Sequence, residues 1–509
     1  MKTKTILLIL SSVFCLLSSV AAQIISGGAF HSLALCSDST ARAWGRNDYG
    51  ELGNGTNTGS NVPVQVSALS GIIAIAAGSD HSLALKNDGT LWAWGLNMNG
   101  QLGNGTNTNS NVPVQVSVLS GIIAIVGGGA HSLALKNDGT VWAWGYNNYG
   151  QLGTGTNTDS NIPVQVSALS GVTSIEGGGF HSFALKNDGT VWAWGWNFYG
   201  QLGNGTTTAS NVPVQVSALS GITAIVGGHW HSLALKNDGT VRAWGYNFYG
   251  ELGNGTNTDS NVPVQVSALS GITAIAGGVA HSLALKNDGT VWTWGNNVYG
   301  QLGNGTNSDS NVPVQVSALS GITAIEGGGV FSIALKNDGT VWAWGDNQFG
   351  ALGNGTTTDS NVPVQVSALS GITAIEGGWY HSLALKNDGT VWAWGYNLYG
   401  QLGNGTNTAS NVPVQVTTLC QVTTALEEEN IISAINIFPN PATNEIRIQN
   451  SELRIESVEV FDVLGQRYNS AFDILNSALT IDVSKLAPGI YFVKVKGEKD
   501  ERVAKFVKQ

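Results

Sequence analysis

The chain has 509 residues, of which 11% are charged and 68 are glycine, and its formal net charge is −11. The low charge argues against disorder, and the length allows one large array plus a further domain. Residues 23–426 carry 10 Lys and Arg against 20 Asp and Glu, which is the wrong sign for a surface that binds nucleic-acid phosphates.

Residues 1–22 have the pattern of a secretory signal peptide. A basic start at Lys2 precedes an apolar run at Ile6–Leu17 and small residues at Val20–Ala22. The apolar run is short for a membrane-spanning helix, and no later segment is long and apolar enough to span. We therefore expect export, a mature chain that begins near Gln23, and no transmembrane segment.

A unit of fifty residues repeats eight times between residues 23 and 424. The sequence His-Ser-Leu-Ala-Leu-Lys-Asn-Asp-Gly-Thr at His81–Thr90 recurs with few changes through Thr390, after a degenerate first copy at His31–Thr40. Trp-Gly recurs with the same period, beginning at Trp44. A repeat of this size indicates a solenoid, a propeller or an array.

The second unit predicts four short strands, at Ile72–Ala76, His81–Lys86, Leu91–Gly95 and Val112–Val116. Asn-Asp-Gly between the second and third strands is typical of a tight hairpin turn. Four strands and a return loop form one propeller blade, whereas an open solenoid has shorter coils and needs capped ends. We predict an all-β fold, a β-propeller of about eight four-stranded blades. The alternative of seven blades with one extra unit stays open.

Cys36 and Cys420 are the cysteines that remain after removal of the signal peptide. Two cysteines in an exported chain indicate one disulfide. Cys36 ends the second predicted strand of the first blade, and Cys420 comes eight periods after position 20, just before the first strand of that blade. A ring that closes after eight units brings them together, so we predict a disulfide at the seam; the alternative is two free thiols.

The repeated histidine is the obvious candidate for a metal or anion site. Metal sites need two to four ligands that converge, whereas the blades hold these histidines apart, and Phe331 replaces one of them. We interpret the histidines as structural. The Asp-Gly turns, from Asp88 to Asp388, lack the further carboxylates of a calcium loop. We predict no metal site.

Motifs for catalysis are missing from the sequence. It contains no nucleophile elbow, zinc motif, phosphate loop or isolated pair of carboxylates. We therefore predict no enzyme activity, no catalytic residue and no cofactor.

The repeat resembles that of the regulator-of-chromosome-condensation family. Gly-Gly-x-x-His-Ser-Leu-Ala-Leu, Val-Trp-Ala-Trp-Gly, Tyr-Gly-Gln-Leu-Gly-Asn-Gly and Pro-Val-Gln-Val carry the likeness over about Gln23–Val422. The resemblance implies a propeller, usually of seven blades. The founder is a nucleotide-exchange factor that binds chromatin, but a signal peptide and an acidic propeller argue against both roles. Exported relatives include β-lactamase inhibitor proteins that bind through loops on one face.

The C-terminal segment carries a second resemblance, after a linker expected at residues 425–434. Ile437–Ala442, Val458–Gly465 and Leu486–Tyr491 resemble the C-terminal sorting domain of the type IX secretion system of Bacteroidetes. Alternating apolar residues predict a small β-sandwich over residues 435–509. The resemblance implies recognition by the type IX machinery, with cargo that is then released or attached to the outer-membrane surface.

Differences between the units gather at one end of the predicted ring. The turn after the first strand and the loop after the third strand lie at that end, and their variable positions are often aromatic. Exposed aromatic residues on loops are typical of binding surfaces, whereas drift favours small polar residues. The predicted ligand-binding residues are Phe180, Trp196, Phe198, Trp230, Tyr246, Phe248, Trp379, Tyr380, Tyr396 and Tyr146.

These patterns together predict a secreted or cell-surface binding protein. The expected partner is an extracellular protein or a polysaccharide, bound by the variable aromatic loops of one propeller face. Two alternatives remain open: a structural surface or adhesion protein without a specific ligand, and a propeller-type enzyme inhibitor.

Overall fold

The computed structural model describes residues 24–117, 119–417, 419–420, 436–438, 442–449, 455–462, 467–468, 472–475, 478–486, 489–497 and 501–508. The chain divides into two compact units, one that ends at Gln421 and one that runs from Val422 to Gln509. The signal peptide predicted at residues 1–22 and the linker predicted at residues 425–434 lie outside the described residues. Within the described residues, no helix is long and apolar enough to cross a membrane.

Each fifty-residue unit folds into one antiparallel sheet of four strands, which pair in chain order. We number these sheets as blades 1 to 8 along the chain. The first strand of each blade lines the axis of the ring, and the fourth lies at its rim. Eight blades are present, so the prediction of an eight-bladed all-β propeller is confirmed.

The strand bounds repeat from blade to blade. The first strands are Ile24–Gly27, Ile72–Ala77, Ile122–Gly127, Val172–Gly177, Ile222–Gly227, Ile272–Gly277, Ile322–Gly327 and Ile372–Gly377. The second strands are His31–Leu35, His81–Lys86, His131–Lys136, His181–Lys186, His231–Lys236, His281–Lys286, Phe331–Lys336 and His381–Lys386. The third strands are Ala41–Gly45, Leu91–Gly95, Val141–Gly145, Val191–Gly195, Val241–Gly245, Val291–Gly295, Val341–Gly345 and Val391–Gly395. The fourth strands are Ser60–Gln65, Ser110–Gln115, Ser160–Gln165, Ser210–Gln215, Ser260–Gln265, Ser310–Gln315, Ser360–Gln365 and Ser410–Gln415.

The fourth strand begins two residues before the sequence-based prediction. In blade 2 it starts at Ser110, which pairs with Gly95 across an irregularity in the ladder. This strand contains Pro113, which lacks a backbone N–H and is therefore suited to the outermost position of the sheet.

The hydrophobic core lies between neighbouring blades. Between blades 2 and 3, for example, Leu83 and Leu91 pack with Ile125 and Trp144. Both faces of the second strand are buried, because each blade is covered on both sides by its neighbours. Ile25 and Trp44 of blade 1 belong to one cluster with Leu383 and Leu402 of blade 8, so the same packing closes the ring.

Two polar contacts also repeat between the blades. The Trp94 indole Nε1–H donates to the carbonyl oxygen of Glu51 in the preceding blade at 2.8 Å. Nε2 of His81 lies 2.9 Å from Oγ of Ser132 in the following blade. Burial lowers the pKa of His81 to about 4, so this imidazole is neutral at physiological pH. Six of the seven repeated histidines make this contact and link blade to blade, whereas neither ring nitrogen of His181 has a hydrogen-bond partner.

A disulfide joins Cys36 of blade 1 to Cys420, which follows blade 8. The two Cα atoms are 5.6 Å apart, although 384 residues separate them along the chain. The Trp44 indole also donates to the carbonyl oxygen of Gln401 at 2.8 Å across this seam. Ring closure therefore combines the repeated contacts with one covalent bond.

The second unit is a β-sandwich of two four-stranded sheets, as predicted for the C-terminal region. One sheet contains, in spatial order, Asn436–Phe438, Glu445–Gln449, Ala478–Asp482 and Phe472–Leu475. The other contains Arg467–Tyr468, Ile455–Asp462, Gly489–Gly497 and Glu501–Lys508. Ile446 and Ile481 of the first sheet pack in one cluster with Val460 and Val493 of the second.

Candidate recognition face

The turn after the first strand and the loop after the third strand lie at the same end of the propeller. In blade 4 the backbone N–H of Trp196 donates to the carbonyl oxygen of Phe180 at 2.9 Å, and the same bond joins Tyr246 to Trp230 in blade 5. We call this end the upper face. The end that carries the Asn-Asp-Gly turns is the lower face.

A buried asparagine holds each upper loop in place. The Asn197 side chain accepts from the backbone N–H of Leu202 at 2.9 Å and donates to the carbonyl oxygens of Thr206 and Thr208, both at 3.0 Å. Gly200 has a φ of 82°, and a Cβ there would lie 2.5 Å from Cα of Asn261 in the next blade. The loops are thus fixed by buried hydrogen bonds and by close backbone packing between blades.

Ten aromatic side chains of blades 3, 4 and 5 form the first aromatic cluster. Tyr199 lies at its centre, with its ring centroid 4.8 Å from that of Tyr246 and 6.2 Å from that of Trp230. Phe198 is 67% exposed and Phe248 is 64% exposed, so the cluster presents apolar rings to solvent. Its members are Tyr146, Tyr149, Phe180, Trp196, Phe198, Tyr199, Trp230, Tyr246, Phe248 and Tyr249.

A second aromatic cluster lies across the axis, on blades 7, 8 and 1. The ring centroids of Phe349 and Tyr396 are 4.9 Å apart, and Trp379 is 46% exposed. His229 of blade 5 contacts Trp379 of blade 8 with 6.3 Å between ring centroids, which links the two clusters. The members of the second cluster are Phe30, Phe349, Trp379, Tyr380, Tyr396 and Tyr399.

The structure brings all ten predicted ligand-binding residues into these two clusters. Seven belong to the first, and Trp379, Tyr380 and Tyr396 belong to the second. A face assembled from loops of different blades thus carries two nearly continuous aromatic areas. We keep the role of these residues in binding as a proposal.

Comparison with known families identifies the two units. Residues 22–269 and residues 220–435 match the RCC1-like domain. The chain belongs to the RCC1-like domain family. Residues 436–509 match the secretion system C-terminal sorting domain, which confirms the prediction of a type IX sorting domain. No curated protein matches the sequence.

Solved structures share the fold of this RCC1-like propeller. Prp20p from Saccharomyces cerevisiae, described with its binding properties to Gsp1p and histones, has a TM-score of 0.56 and 24% identity. That comparison covers 68% of this chain and 92% of the yeast chain. The same yeast protein bound to Kap60 has a TM-score of 0.56 and 23% identity over 68% of this chain and 89% of the other. Human WBSCR16 has a TM-score of 0.52 and 23% identity over 74% of this chain and 94% of the other.

Sequence comparison of the units missed one layer of aromatic residues on the upper face of this RCC1-like propeller. Tyr149, Tyr199 and Tyr399 occupy a position that is tyrosine in most units, so it does not stand out as variable. Each packs against variable aromatic residues of the next blade, as Tyr149 does against Phe180 at 5.7 Å between ring centroids. The signal that could have revealed these tyrosines is an aromatic residue directly after the variable positions of the same loop, as Tyr199 follows Trp196 and Phe198.

The upper face of the RCC1-like propeller is strongly acidic. Arg46 is the only Lys or Arg on this face among the described residues, and its guanidinium pairs with Asp48 at 2.7 Å and Asp80 at 3.3 Å. The carboxylates of the face are Asp48, Glu51, Asp80, Asp159, Glu251, Asp259, Asp309, Asp346 and Asp359. The face therefore carries an excess of negative charge beside its aromatic clusters.

The lower face is uniform and nearly balanced in charge. Each of seven lysines pairs with the aspartate two residues later, with N–O distances from 2.9 Å for Lys236 to 3.7 Å for Lys186. The contrast between the ends shows that the acidic and aromatic character is concentrated on the upper face.

No group of three or more His, Cys, Asp or Glu side chains within the described residues is arranged to hold a metal ion. Six of the seven repeated histidines instead contact a serine of the following blade, as described above.

Proposed function

We propose that this RCC1-like protein is exported and binds a protein partner through the two aromatic clusters of its upper face. The C-terminal sorting domain supports export by the type IX system and display at, or release from, the outer-membrane surface. The observation that carries the binding proposal is the exposure of Phe198, Phe248 and Trp379 at the surface of clusters that are packed beneath them.

Large aromatic side chains dominate protein interfaces because each buries much apolar area at little conformational cost. Here their backbone is already fixed by the Asn197-type hydrogen bonds, so little entropy is lost when a partner binds. Prp20p, which shares the fold, is described as a protein that binds Gsp1p and histones. This precedent supports a protein partner.

Ring geometry favours a protein over a polysaccharide. Sugar rings stack on open, flat aromatic faces, whereas most rings here meet their neighbours edge to face or tilted, as Tyr149 and Phe180 do at 69°. The resulting apolar surface is irregular rather than flat, so it is suited to packing against the side chains of another protein. We therefore propose that the protein binds a protein partner and does not catalyse a reaction. Binding of a polysaccharide is one of the outcomes that the test distinguishes.

The test is affinity capture from the native extracellular environment with the full exported chain. The variant F198S/F248S/W379S removes the most exposed rings. The control V112S/V212S/V262S removes exposed valines from fourth strands at the rim instead. Thermal unfolding checks that all three proteins are folded.

A protein that is captured by the wild type and the control, is lost with the aromatic variant, and then binds stoichiometrically when purified would support the proposal. Equal capture by all three proteins would show that the aromatic clusters of the upper face are not the binding site. Binding to a glycan array that depends on the same rings would replace the protein partner with a polysaccharide.

A further inference from the structure

A cavity of about 300 Å³ opens on the propeller axis, within the upper face. Its wall comes from the ends of the first strands of all eight blades, and glycine occupies most of these positions. The largest side chains of its wall are His229 and Trp379, which also link the two aromatic clusters. The volume lies at the lower end of the range for ligand pockets in proteins.

Three carboxylates lie directly beside this wall. Glu176, Glu326 and Glu376 each precede a lining glycine by one residue, in the first strands of blades 4, 7 and 8. The other five blades have small or apolar residues at the same position: Ser26, Ala76, Val126, Val226 and Ala276. Glutamate at this position therefore distinguishes three blades from the other five, and these differences lie beside the axis.

Glu326 lies close enough to Glu376 and Glu176 for their charges to act on it. Burial raises the pKa of Glu326 well above 4.5, and the negative charges of Glu376 and Glu176 raise it further. Glu176 and Glu326 are both partly exposed, and each stands one residue before the cavity wall in a first strand that lines the axis. Burial also raises the pKa of Glu176 to about 8 and that of Glu376 to about 8.

No described lysine or arginine forms an ion pair with any of the three. The backbone N–H of Gly27 donates to the Glu376 carboxyl, but its Oε2 is inaccessible to solvent and has no hydrogen-bond partner. A carboxylate that is shielded from solvent and lacks a counter-charge is costly, so these groups have unused capacity to bind a cation.

We propose that the axial cavity accepts a cationic side chain, a lysine or arginine, which the protein partner inserts from the upper face. This inference rests on the proposed function and adds the chemistry of the partner: its contacting surface is basic. The seven aspartates of the upper face outnumber Arg46, so this face attracts a partner of positive charge and orients it over the axis.

The dimensions of such a side chain match the site. A lysine carries its charge at the end of a four-carbon stem, so the ammonium can reach the glutamates while the stem lies against the glycine wall. The exposed indole of Trp379 at the rim provides an aromatic face over which a cation is stabilised. A chelated metal ion fits less well, because no three acidic or histidine side chains in the described parts of the chain are arranged to hold one.

The test compares E176Q/E326Q/E376Q with a control that makes the same number of carboxyl-to-amide changes on the lower face, D138N/D188N/D238N. The probe is a hexalysine peptide, with fully acetylated hexalysine as the uncharged reference, and affinity is measured by titration calorimetry on the full exported chain. We expect hexalysine to bind the wild type and the control, and to bind the glutamine variant about tenfold more weakly, the scale of one charged hydrogen bond. Equal affinity for both variants would overturn the inference.

The number of protons released on binding distinguishes contact with the glutamates from general electrostatic attraction. At pH 7 Glu176 and Glu376 are largely protonated, because their pKa values of about 8 lie above that pH. A bound ammonium favours the ionised carboxylates, so hexalysine binding to the wild type should release protons, and binding to the glutamine variant should not. Calorimetry in two buffers of different ionisation enthalpy measures this difference, and absence of release from the wild type would contradict the inference.

Two further measurements distinguish this inference from a metal site and from the proposed function. If calcium chloride alone binds stoichiometrically and the glutamine variant abolishes that binding, the cavity is a metal site and the inference is wrong. If the partner captured through the aromatic clusters binds the glutamine variant as tightly as the wild type, the inference fails while the proposed function stands. Loss of that partner with the glutamine variant but not with the lower-face control supports both.

Discussion

Nε2 of His381 lies 3.5 Å from Oγ of Ser32 across the seam between blades 8 and 1. The equivalent distance is 2.9–3.0 Å at five other blade interfaces. The seam thus has the longest of these contacts, and it is also the interface that the Cys36–Cys420 disulfide spans. The contact is missing between blades 4 and 5, where neither ring nitrogen of His181 has a hydrogen-bond partner, and between blades 7 and 8, where Phe331 replaces the histidine. A covalent bond thus stands at the interface with the longest of the six contacts that are made.

Removal of the disulfide should destabilise the propeller, and the seam should open first. For a closed loop of 384 residues, chain entropy alone gives roughly 6 kcal/mol as an upper value. The double variant C36S/C420S avoids a free thiol, and we expect a lower melting temperature and faster amide exchange in the first strand of blade 1. Uniform exchange across all blades in this variant would show that the seam has no special weakness.

The Glu251 carboxyl should make the propeller less stable as pH rises. Burial raises its pKa from 4.5 to about 8, and its Oε1 has no hydrogen-bond partner. Between pH 4.5 and 8 the folded state holds a proton that the unfolded state has lost, so stability falls through this range and levels off above it. We expect E251Q to be more stable than the wild type at pH 9, by on the order of a few kcal/mol, with little difference at pH 4.5.

The chain offers a matched control for this prediction. Gln201 occupies the same position in blade 4, and its Oε1 accepts from the backbone N–H of Tyr199 at 3.0 Å, as Glu251 accepts from Tyr249 at 3.0 Å. Q201E should therefore introduce the pH dependence that E251Q removes. Urea unfolding at both pH values measures it, and parallel pH profiles for all three proteins would refute the assignment.

The buried histidines should make the propeller labile to acid. Burial lowers the pKa of His131 to about 3, with smaller effects from the charges of His81 and His181. Below pH 6.5 the unfolded state gains protons that the folded state cannot bind, so each histidine costs about 1.4 kcal/mol per pH unit until the folded pKa is reached.

Blade 7 suggests the variant, since Phe331 fills the same buried position without a titratable group. H131F loses the contact with Ser182, which is 3.0 Å long in the wild type, and should be less stable at pH 7. Its loss of stability from pH 6.5 to 5 should nevertheless be smaller than that of the wild type, by about 2 kcal/mol. Identical slopes for the two proteins would mean that His131 is charged in the folded state.

Replacement of strained alanines by glycine should stabilise the lower face. Six alanines that follow the fourth strands have φ values of 50–53°, a region that L-residues adopt at a cost. We expect A168G to raise stability by roughly 0.5–1 kcal/mol, and the effects at distant blades to add. The positions are Ala68, Ala168, Ala218, Ala268, Ala318 and Ala368.

The neighbouring residue supplies the control for this substitution. Ser167 does not have positive φ, so S167G adds only backbone entropy to the unfolded state and should destabilise the protein. Thermal unfolding of the two variants compares them directly. If A168G is no more stable than S167G, the left-handed alanine is not strained.

Much of the fold follows from the period of the sequence. One unit predicts four strands, and the order of up and down strands places the variable positions at one end, where the structure has Trp196 beside Phe180. The start of the fourth strand was predicted two residues late, because Ser110 pairs across an irregular ladder that has no sequence signature.

The cluster of glutamates at the axis could not be predicted from one unit alone. Glu176 and Glu326 are 150 positions apart in the sequence, and nothing within either blade indicates that they interact. Only the closed ring brings first strands of distant blades together. The constant tyrosines, such as Tyr199, were missed for a related reason: they contact the next blade, so their role depends on a neighbour rather than on their own unit.

Each blade is built from one uninterrupted stretch of chain, so no strand is exchanged to close the ring. Every junction between consecutive blades is therefore topologically equivalent to the seam. New termini placed in a junction such as residues 167–171, with the old ends joined, would leave all eight sheets intact. We therefore expect the propeller to tolerate circular permutation, which would present its upper face to a tether from any side.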